Sequence, residues 1–254
     1  MVKLLLKGRS KMNIIKVKDY AEMSEKACAL FAEKINQLEN PVFGLATGST
    51  PEGLYERLIE EYNQNHISFK NVTTFNLDEY VGLEKNDPNS YNYFMNEKLF
   101  KHVDILADST NLPNGVADDL EKECQDYEER IRNVGHVDVQ ILGLGLNGHI
   151  GFNEPGTSFT SRTQIVELDQ STRDANVRFF DSMDEVPTKA ITMGIESIME
   201  SKEIILLVSG EKKAEAVAHL INGDVTEDFP ASILQRHDQV TIIADEAALS
   251  KVQK

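Results

Sequence analysis

The chain has 254 residues, 41% of them hydrophobic and 27% charged, with a formal net charge of −16. That length suits one large α/β domain with ample material for a core. The acidic surplus argues against nucleic acid, which needs a basic face for its phosphates, and no apolar run approaches the roughly 18 residues of a membrane helix.

Residues 1–11 (MVKLLLKGRSK) have a basic start but only four apolar side chains, Val2, Leu4, Leu5 and Leu6, too few for a signal-peptide core. Met12, followed by the strand-like NIIKV, reads as the start of the domain; residues 1–11 are then a leader or N-terminal extension, and 12–254 a single domain. Segment 18–38 sets Tyr20, Met23, Ala27, Leu30, Phe31 and Leu38 on one helical face. VFGLA (42–46) is a short buried strand, and 50–62 a helix with Thr50 as N-cap and Pro51 in its first turn. A strand over 72–77, a helix over 90–100, an acidic amphipathic helix over 117–132 and a strand from 137 follow. Residues 163–168 form a shorter strand; 187–200 read as mainly helical, although AITM also fits a strand. Strand 203–209, helix 212–221, strand 240–244 and a short final helix complete the chain.

Unbroken apolar strands alternating with helices predict a doubly wound α/β fold, its mostly parallel sheet covered on both faces. Ligands in such sheets sit beyond the carboxyl ends of the strands, where the strand order reverses. Cys28 and Cys124 lie far apart without metal-type spacing, as suits a reduced, cytoplasmic protein. The six histidines make no HxxxH or HExxH pair, so no metal is expected. With so acidic a chain, a phosphorylated ligand needs a local cluster of amides, Lys and Arg.

Three strand ends carry candidate chemistry. After the first, Thr47, Gly48, Ser49 and Thr50 bring backbone N–H groups and hydroxyls to a helix start, where an anion fits; a plain capped turn gives the same pattern. After the second, Asp78 and Glu79 are caps, a structural pair, or in Asp78 a base facing the crevice. The third, GLGLNGHIGFNEPG (143–156), contains the G-x-G-x-x-G of dinucleotide sites, with Asp169 about 20 residues on. The nucleotide reading fails because Gly148 is followed by Gly151, Pro155 and Gly156 rather than by a helix to hold a pyrophosphate. What remains is Asn147, His149 and Glu154 on one loop, a histidine with a carboxylate near enough to fix its tautomer. Lys212 and Lys213 open a further helix, and Arg178 lies in a loop-rich stretch; these are solvated charges or the cations an anion requires. Lys213 as a Schiff-base amine is the less simple assignment.

Taken in order, GLATGSTPEGLY, TTFNLDEYVGL, NSYNYFM, ILGLGLNGHIGFNEPG, SRT, NVRFF, KAITMGI and SGEKKAEAV resemble glucosamine-6-phosphate deaminase, from about residue 12 to 246. The resemblance implies a modified doubly wound, Rossmann-like α/β domain that turns glucosamine 6-phosphate and water into fructose 6-phosphate and ammonia without a cofactor. By motif, Asp78 looks like the base that moves a proton between C2 and C1, and His149 like the group that opens the pyranose ring. Glu154 resembles the acid paired with that histidine, while Asn147 departs from the Asp of many relatives and can assist only by hydrogen bonding. The Thr47–Thr50 turn, Arg178 and Lys213 match the family's phosphate and sugar contacts. Longer relatives are hexamers activated by N-acetylglucosamine 6-phosphate through basic residues that are Gln164 and Val166 here; with the chain stopping at 254, a monomer without that activation is expected. Two rivals share the fold: 6-phosphogluconolactonase, whose Gly-His loop continues Ser-Leu-Phe-Pro rather than FNEP, and sugar-phosphate sensor domains, which carry a helix-turn-helix that is not seen ahead of this domain.

Overall fold

Strand β1 (Asn13–Val17) leads into helix α1 (Tyr20–Gln37), whose start is set by Asp19: its carboxylate accepts the Glu22 N–H and satisfies an amide that a first turn leaves open. The computed structural model describes residues 12–168, 170, 173, 174, 177, 180 and 182–252; the leader read over 1–11, Asp169 and Arg178 lie outside the described residues. The buried stripe of α1 is Met23, Ala27, Phe31 and Ile35. Tyr20 and Leu38, expected on that face, stand exposed at its two ends.

After β2 (Val42–Leu45), helix α2 (Ser49–Asn63) begins earlier than the sequence predicts. Gly48 is its N-cap at φ +86°, with no side-chain cap, so Thr50 sits inside the first turn and is not the cap. A left-handed glycine closes the turn by itself, which leaves the Thr47, Ser49 and Thr50 hydroxyls uncommitted to capping. The Tyr20 hydroxyl ties this turn to α1 instead: it accepts the Gly53 N–H and donates to the Ser49 carbonyl, both at 2.8 Å.

The remaining elements are β3 (Thr73–Asn76), β4 (Asp78–Tyr80), α3 (Tyr91–Lys98), β5 (Thr110–Asn111), α4 (Leu120–Asn133), β6 (Val139–Gly143), β7 (Gln164–Glu167), β8 (Lys189–Thr192), α5 (Ile195–Met199), β9 (Glu203–Val208), α6 (Ala214–Asn222) and β10 (Val240–Asp245). Seven strands form one sheet in the order β1-β10-β9-β6-β2-β3-β5, every neighbouring pair parallel. Helices flank it, and the interior strands β2 and β6 are buried almost throughout, the pattern of a sheet covered on both faces. Tyr55, Tyr127, Phe31, Phe43, Phe69 and Phe75 are the largest of the fully buried side chains among the described residues. Strands β2 and β6 are neighbours, yet the chain leaves β2 outward through β3 to β5 and leaves β6 outward through β9 to β10. That reversal creates a crevice beyond their carboxyl ends.

The strand read over 72–77 is β3, Thr73–Asn76; after a break at Leu77, Asp78–Tyr80 forms a further strand in a separate antiparallel sheet of order β4-β8-β7. Three other expectations need correction. Residues 187–200 are mostly not helical; AITM supplies β8 and only Ile195–Met199 is α-helix. Pairing on both sides, with β4 and β7, decides that segment against its local helical pattern. Finally, residues 246–251 make turns rather than a helix, and Lys212 and Lys213 belong to a 3-10 turn ahead of α6. None of the described helices is long and apolar enough to cross a membrane.

The position of β4 depends on Gly115, where an added Cβ would lie 1.9 Å from the Tyr80 carbonyl oxygen and 2.9 Å from its carbon. Backbone cannot yield there as a side-chain tip can. Gly115→Ala is therefore expected to destabilise the fold by about 1–3 kcal/mol, measured as a lower urea midpoint; an unchanged midpoint would mean that β4 moves freely.

Candidate active site

At the crevice between β2 and β6 lies a cavity of about 210 Å³, lined by Thr47 and Thr50 from one strand end, Leu144, Gly145 and His149 from the other, and Asp78, Tyr91, Phe152 and Lys213 from elsewhere. The three strand ends singled out in the sequence thus meet in one place.

No helix follows the glycines of 143–156, as the failed nucleotide reading requires. The loop folds back on itself: Gly148 N–H donates to the Gly145 carbonyl at 3.1 Å, and Gly145 N–H to the His149 carbonyl at 2.9 Å. Glycine is needed at 145 because any Cβ would lie 2.4 Å from the His149 ring, and at 148 because φ is +85° and the Phe229 ring would be 2.4 Å away. Asn153 Nδ2 anchors the far side of the loop on the Ile150 and Met193 carbonyls, both at 2.9 Å.

Within this loop Asn147 stands between the other two polar residues. Its Nδ2 donates to Glu154 Oε2 at 2.7 Å, and its Oδ1 lies 2.8 Å from His149 Nδ1. A carboxylate only accepts, so the amide must turn its NH₂ toward Glu154 and its oxygen toward the ring. Nδ1 then carries a ring proton, which leaves Nε2 as the nitrogen that can exchange one. Glu154 Oε2 itself is 3.5 Å from Nδ1. The loop therefore presents an imidazole with its proton held on Nδ1, backed by a carboxylate one step removed.

Asp78 opens β4 opposite Thr192 of β8 and is 7% exposed. Burial, with the charge of neighbouring Glu79 second, raises its carboxyl from an ordinary 3.8 to about 8. A desolvated carboxylate of this kind is a strong base once ionised. Consecutive strand residues point to opposite sides, and Glu79 is absent from the cavity lining. It instead accepts the N–H groups of Tyr80, Tyr91 and Asn92.

Among the expected anion contacts, Thr47, Thr50 and Lys213 reach the cavity. Ser49 opens on an adjoining hollow with Tyr20 and Ser209, and Gly48 serves as the left-handed cap. Lys213 Nζ donates to the Leu144 carbonyl at 2.6 Å, and burial lowers its pKa. Lys212 is exposed and does not line the cavity. Two aromatic lining residues, Tyr91 and Phe152, were not singled out from the sequence. Their rings stack at 10° with centroids 6.2 Å apart. Tyr91 follows the Ser90 N-cap of α3, the one local sign that its position was determined.

The descriptive family model "glucosamine-6-phosphate isomerases/6-phosphogluconolactonase" matches residues 18–243. The glucosamine-6-phosphate deaminase of Oceanobacillus iheyensis is 61% identical over 241 residues, which is 95% of this chain and 96% of that protein. The solved structure of a monomeric glucosamine-6-phosphate deaminase superposes with a TM-score of 0.92 at 51% identity, covering 94% of this chain and 100% of that one. A 6-phosphogluconolactonase from Thermotoga maritima, 21% identical with a TM-score of 0.73 over 93% of this chain and 100% of its own, shares the fold alone. Since the matched span contains every strand end that builds the cavity, the chain belongs to the glucosamine-6-phosphate isomerase/6-phosphogluconolactonase family.

Proposed function

We propose that the chain is a glucosamine-6-phosphate deaminase of amino-sugar catabolism, converting glucosamine 6-phosphate and water to fructose 6-phosphate and ammonia. The observation that carries this reading is the sharing of one cavity by Asp78, His149 and Lys213, with Asn147 and Glu154 behind the histidine.

The phosphate is taken by Thr47, Thr50 and Lys213, with the Gly48 and Ser49 amides of the α2 start and Arg178 completing the cradle. His149 Nε2 accepts the O1 proton as the C1–O5 bond breaks and returns it to O5, opening the ring. Asp78 removes the C2 proton and delivers it to C1, while a proton passes from the substrate's amino nitrogen to O1, which leaves a hydroxymethyl at C1 and a ketimine at C2. Water adds to that carbon, ammonia departs, and fructose 6-phosphate remains. No cofactor enters these steps. The deaminase names of relatives at 51–61% identity support this reading over lactone hydrolysis, as does the Glu154 carboxylate behind the histidine.

A monomer without activation by N-acetylglucosamine 6-phosphate is part of the proposal. It is supported by the monomeric relative and by Gln164 and Val166, which offer no charge to a phosphate; Val166 packs on the cluster of Tyr80 and Phe152. Nearby Arg162 is held by Glu196 and Glu200. Buried, unpaired Cys28 and Cys124 fit a reducing cytoplasm.

The direct test is a coupled assay on glucosamine 6-phosphate. Ammonia and fructose 6-phosphate are expected in equal amounts, with an apparent KM that N-acetylglucosamine 6-phosphate leaves unchanged; hydrolysis of 6-phosphogluconolactone without ammonia release would favour the lactonase. Asp78→Asn is expected to lower kcat by about 10²–10⁴-fold. It should also raise Tm. A carboxyl whose folded value of about 8 exceeds its ordinary 3.8 loses stability as pH rises between them, so the Tm gain of the variant should grow across that window and level off above it. A variant that is less stable than the unaltered protein at pH 8 would contradict the burial of a charge there. Lys213→Ala removes a charge-assisted contact of about 1.5–3 kcal/mol. Its KM should rise roughly ten- to hundred-fold while kcat stays within a few-fold, and a loss confined to kcat would remove Lys213 from the cradle.

A further inference from the structure

Glu79 lies beside the base, yet takes no part in the steps above. It is 3% exposed, and a buried carboxylate without compensation is costly. Here three backbone amides offset part of that cost, although burial still raises the carboxyl from 4.5 to about 7: Oε1 accepts Tyr80 N–H at 2.8 Å and Tyr91 N–H at 2.9 Å, and Oε2 accepts Asn92 N–H at 2.8 Å. Two of those amides open the first turn of α3, whose Ser90 side chain accepts a further one, from Tyr93. Both carboxylate oxygens are therefore acceptors, a duty that a carboxamide of the same shape cannot perform, because its NH₂ would face an N–H.

The first residue of that turn is Tyr91, a wall of the cavity. Its ring stacks on Phe152 of the loop that carries His149 and Glu154. It packs on Tyr80 at 4.7 Å, and its hydroxyl donates to the Tyr80 hydroxyl at 3.1 Å. The same hydroxyl is close enough to the Thr47 side chain of the anion turn to be influenced by it, and both residues line the cavity. One ring thus touches β4, the histidine loop and the anion turn, three pieces far apart in the chain.

We propose that Glu79 is a positioning residue of the reaction: its buried carboxylate pins the first turn of α3 to β4 and thereby holds Tyr91 as the wall that keeps Asp78, the His149 loop and Thr47 in register. The strand alternation explains the adjacent acids, since Asp78 faces the substrate and Glu79 the helix. The role rests on the deaminase reading, because register matters only if the three pieces act on one sugar.

The test uses Glu79→Gln, Tyr91→Ala and the double variant in the ammonia-release assay, with circular dichroism as the check of folding. Glu79→Gln is expected to lower plateau kcat about ten- to hundred-fold with KM within about three-fold. It should also move the rising limb of kcat/KM to lower pH, because the charge of Glu79 is one of the two causes that raise Asp78; the other groups around Glu79 are Asp87, Tyr80 and Tyr91. Tyr91→Ala should lower kcat comparably, and adding Glu79→Gln to it should cost little more. Additive losses, wild-type kcat in Tyr91→Ala, or a Glu79→Gln protein with lowered Tm but unchanged kcat and pH profile would overturn the role. The Tyr91→Ala result decides the matter even if Glu79→Gln does not fold. Absence of ammonia release by the unaltered chain would bring down the reaction itself and this role with it; release by that chain together with an unaffected Glu79→Gln would overturn the role alone.

Discussion

Leu77 donates its N–H to the Leu45 carbonyl at 3.0 Å and accepts the N–H of Met193 at 2.6 Å, so a single residue is bonded to the parallel sheet on one side and reaches the antiparallel one on the other. The chain changes sheets there, and the next residue is Asp78. Because β4 is held by β8 on one edge and by Gly115 packed against the Tyr80 carbonyl, the Asp78 carboxylate cannot swing out to water. Its high pKa follows first from that confinement, with the charge of Glu79 second. A buried acid of this kind lowers stability at neutral pH and raises basicity, the usual exchange between stability and function.

The histidine loop shows a second solution to the same difficulty of holding polar groups near a dry wall. Asn147 replaces a charge with a dipole: it passes the influence of Glu154 to His149 while fixing which ring nitrogen carries the proton. The amide can neither give the ring a proton nor take one from it, so it holds the Nδ1 proton in place. The surrounding glycines are dictated by contact, because the His149 ring lies over Gly145 and the Phe229 ring over Gly148. Substituting Gly145 would displace the imidazole, and substituting Gly148 the Phe229 ring, rather than merely stiffen a turn.

Charge is distributed to similar effect. Against a net −16, Lys213 is buried deeply enough for its pKa to fall, and its Nζ donates to a neutral carbonyl of the histidine strand end. An anion in the cavity would offset that burial. The α2 start adds backbone N–H groups with no side-chain cap to compete for them. Short-range contacts can in this way overcome a repulsive field that solvent and salt already weaken.

Much of this was legible in the residues alone. Unbroken apolar strands announced a parallel sheet, and strand-end positions pointed to Thr47, Asp78 and His149, because both signals depend only on neighbours along the chain. The motif resemblance added roles for Asp78, His149 and Glu154. What local pattern did not reveal is whatever depends on pairing between distant segments. Residues 189–192 become a strand only because β4 and β7 flank them. Thr50 loses its cap to the left-handed Gly48. Tyr91 and Phe152 become cavity walls only when α3 and the histidine loop meet. The sequence by itself determined which elements exist and which residue types stand at their ends, since propensity, capping and alternation act over a few residues. The tertiary structure alone decided that Asp78 is dry, that Glu79 faces a helix and that three strand ends share one cavity, because burial and long-range hydrogen bonds exist only after the chain has closed on itself.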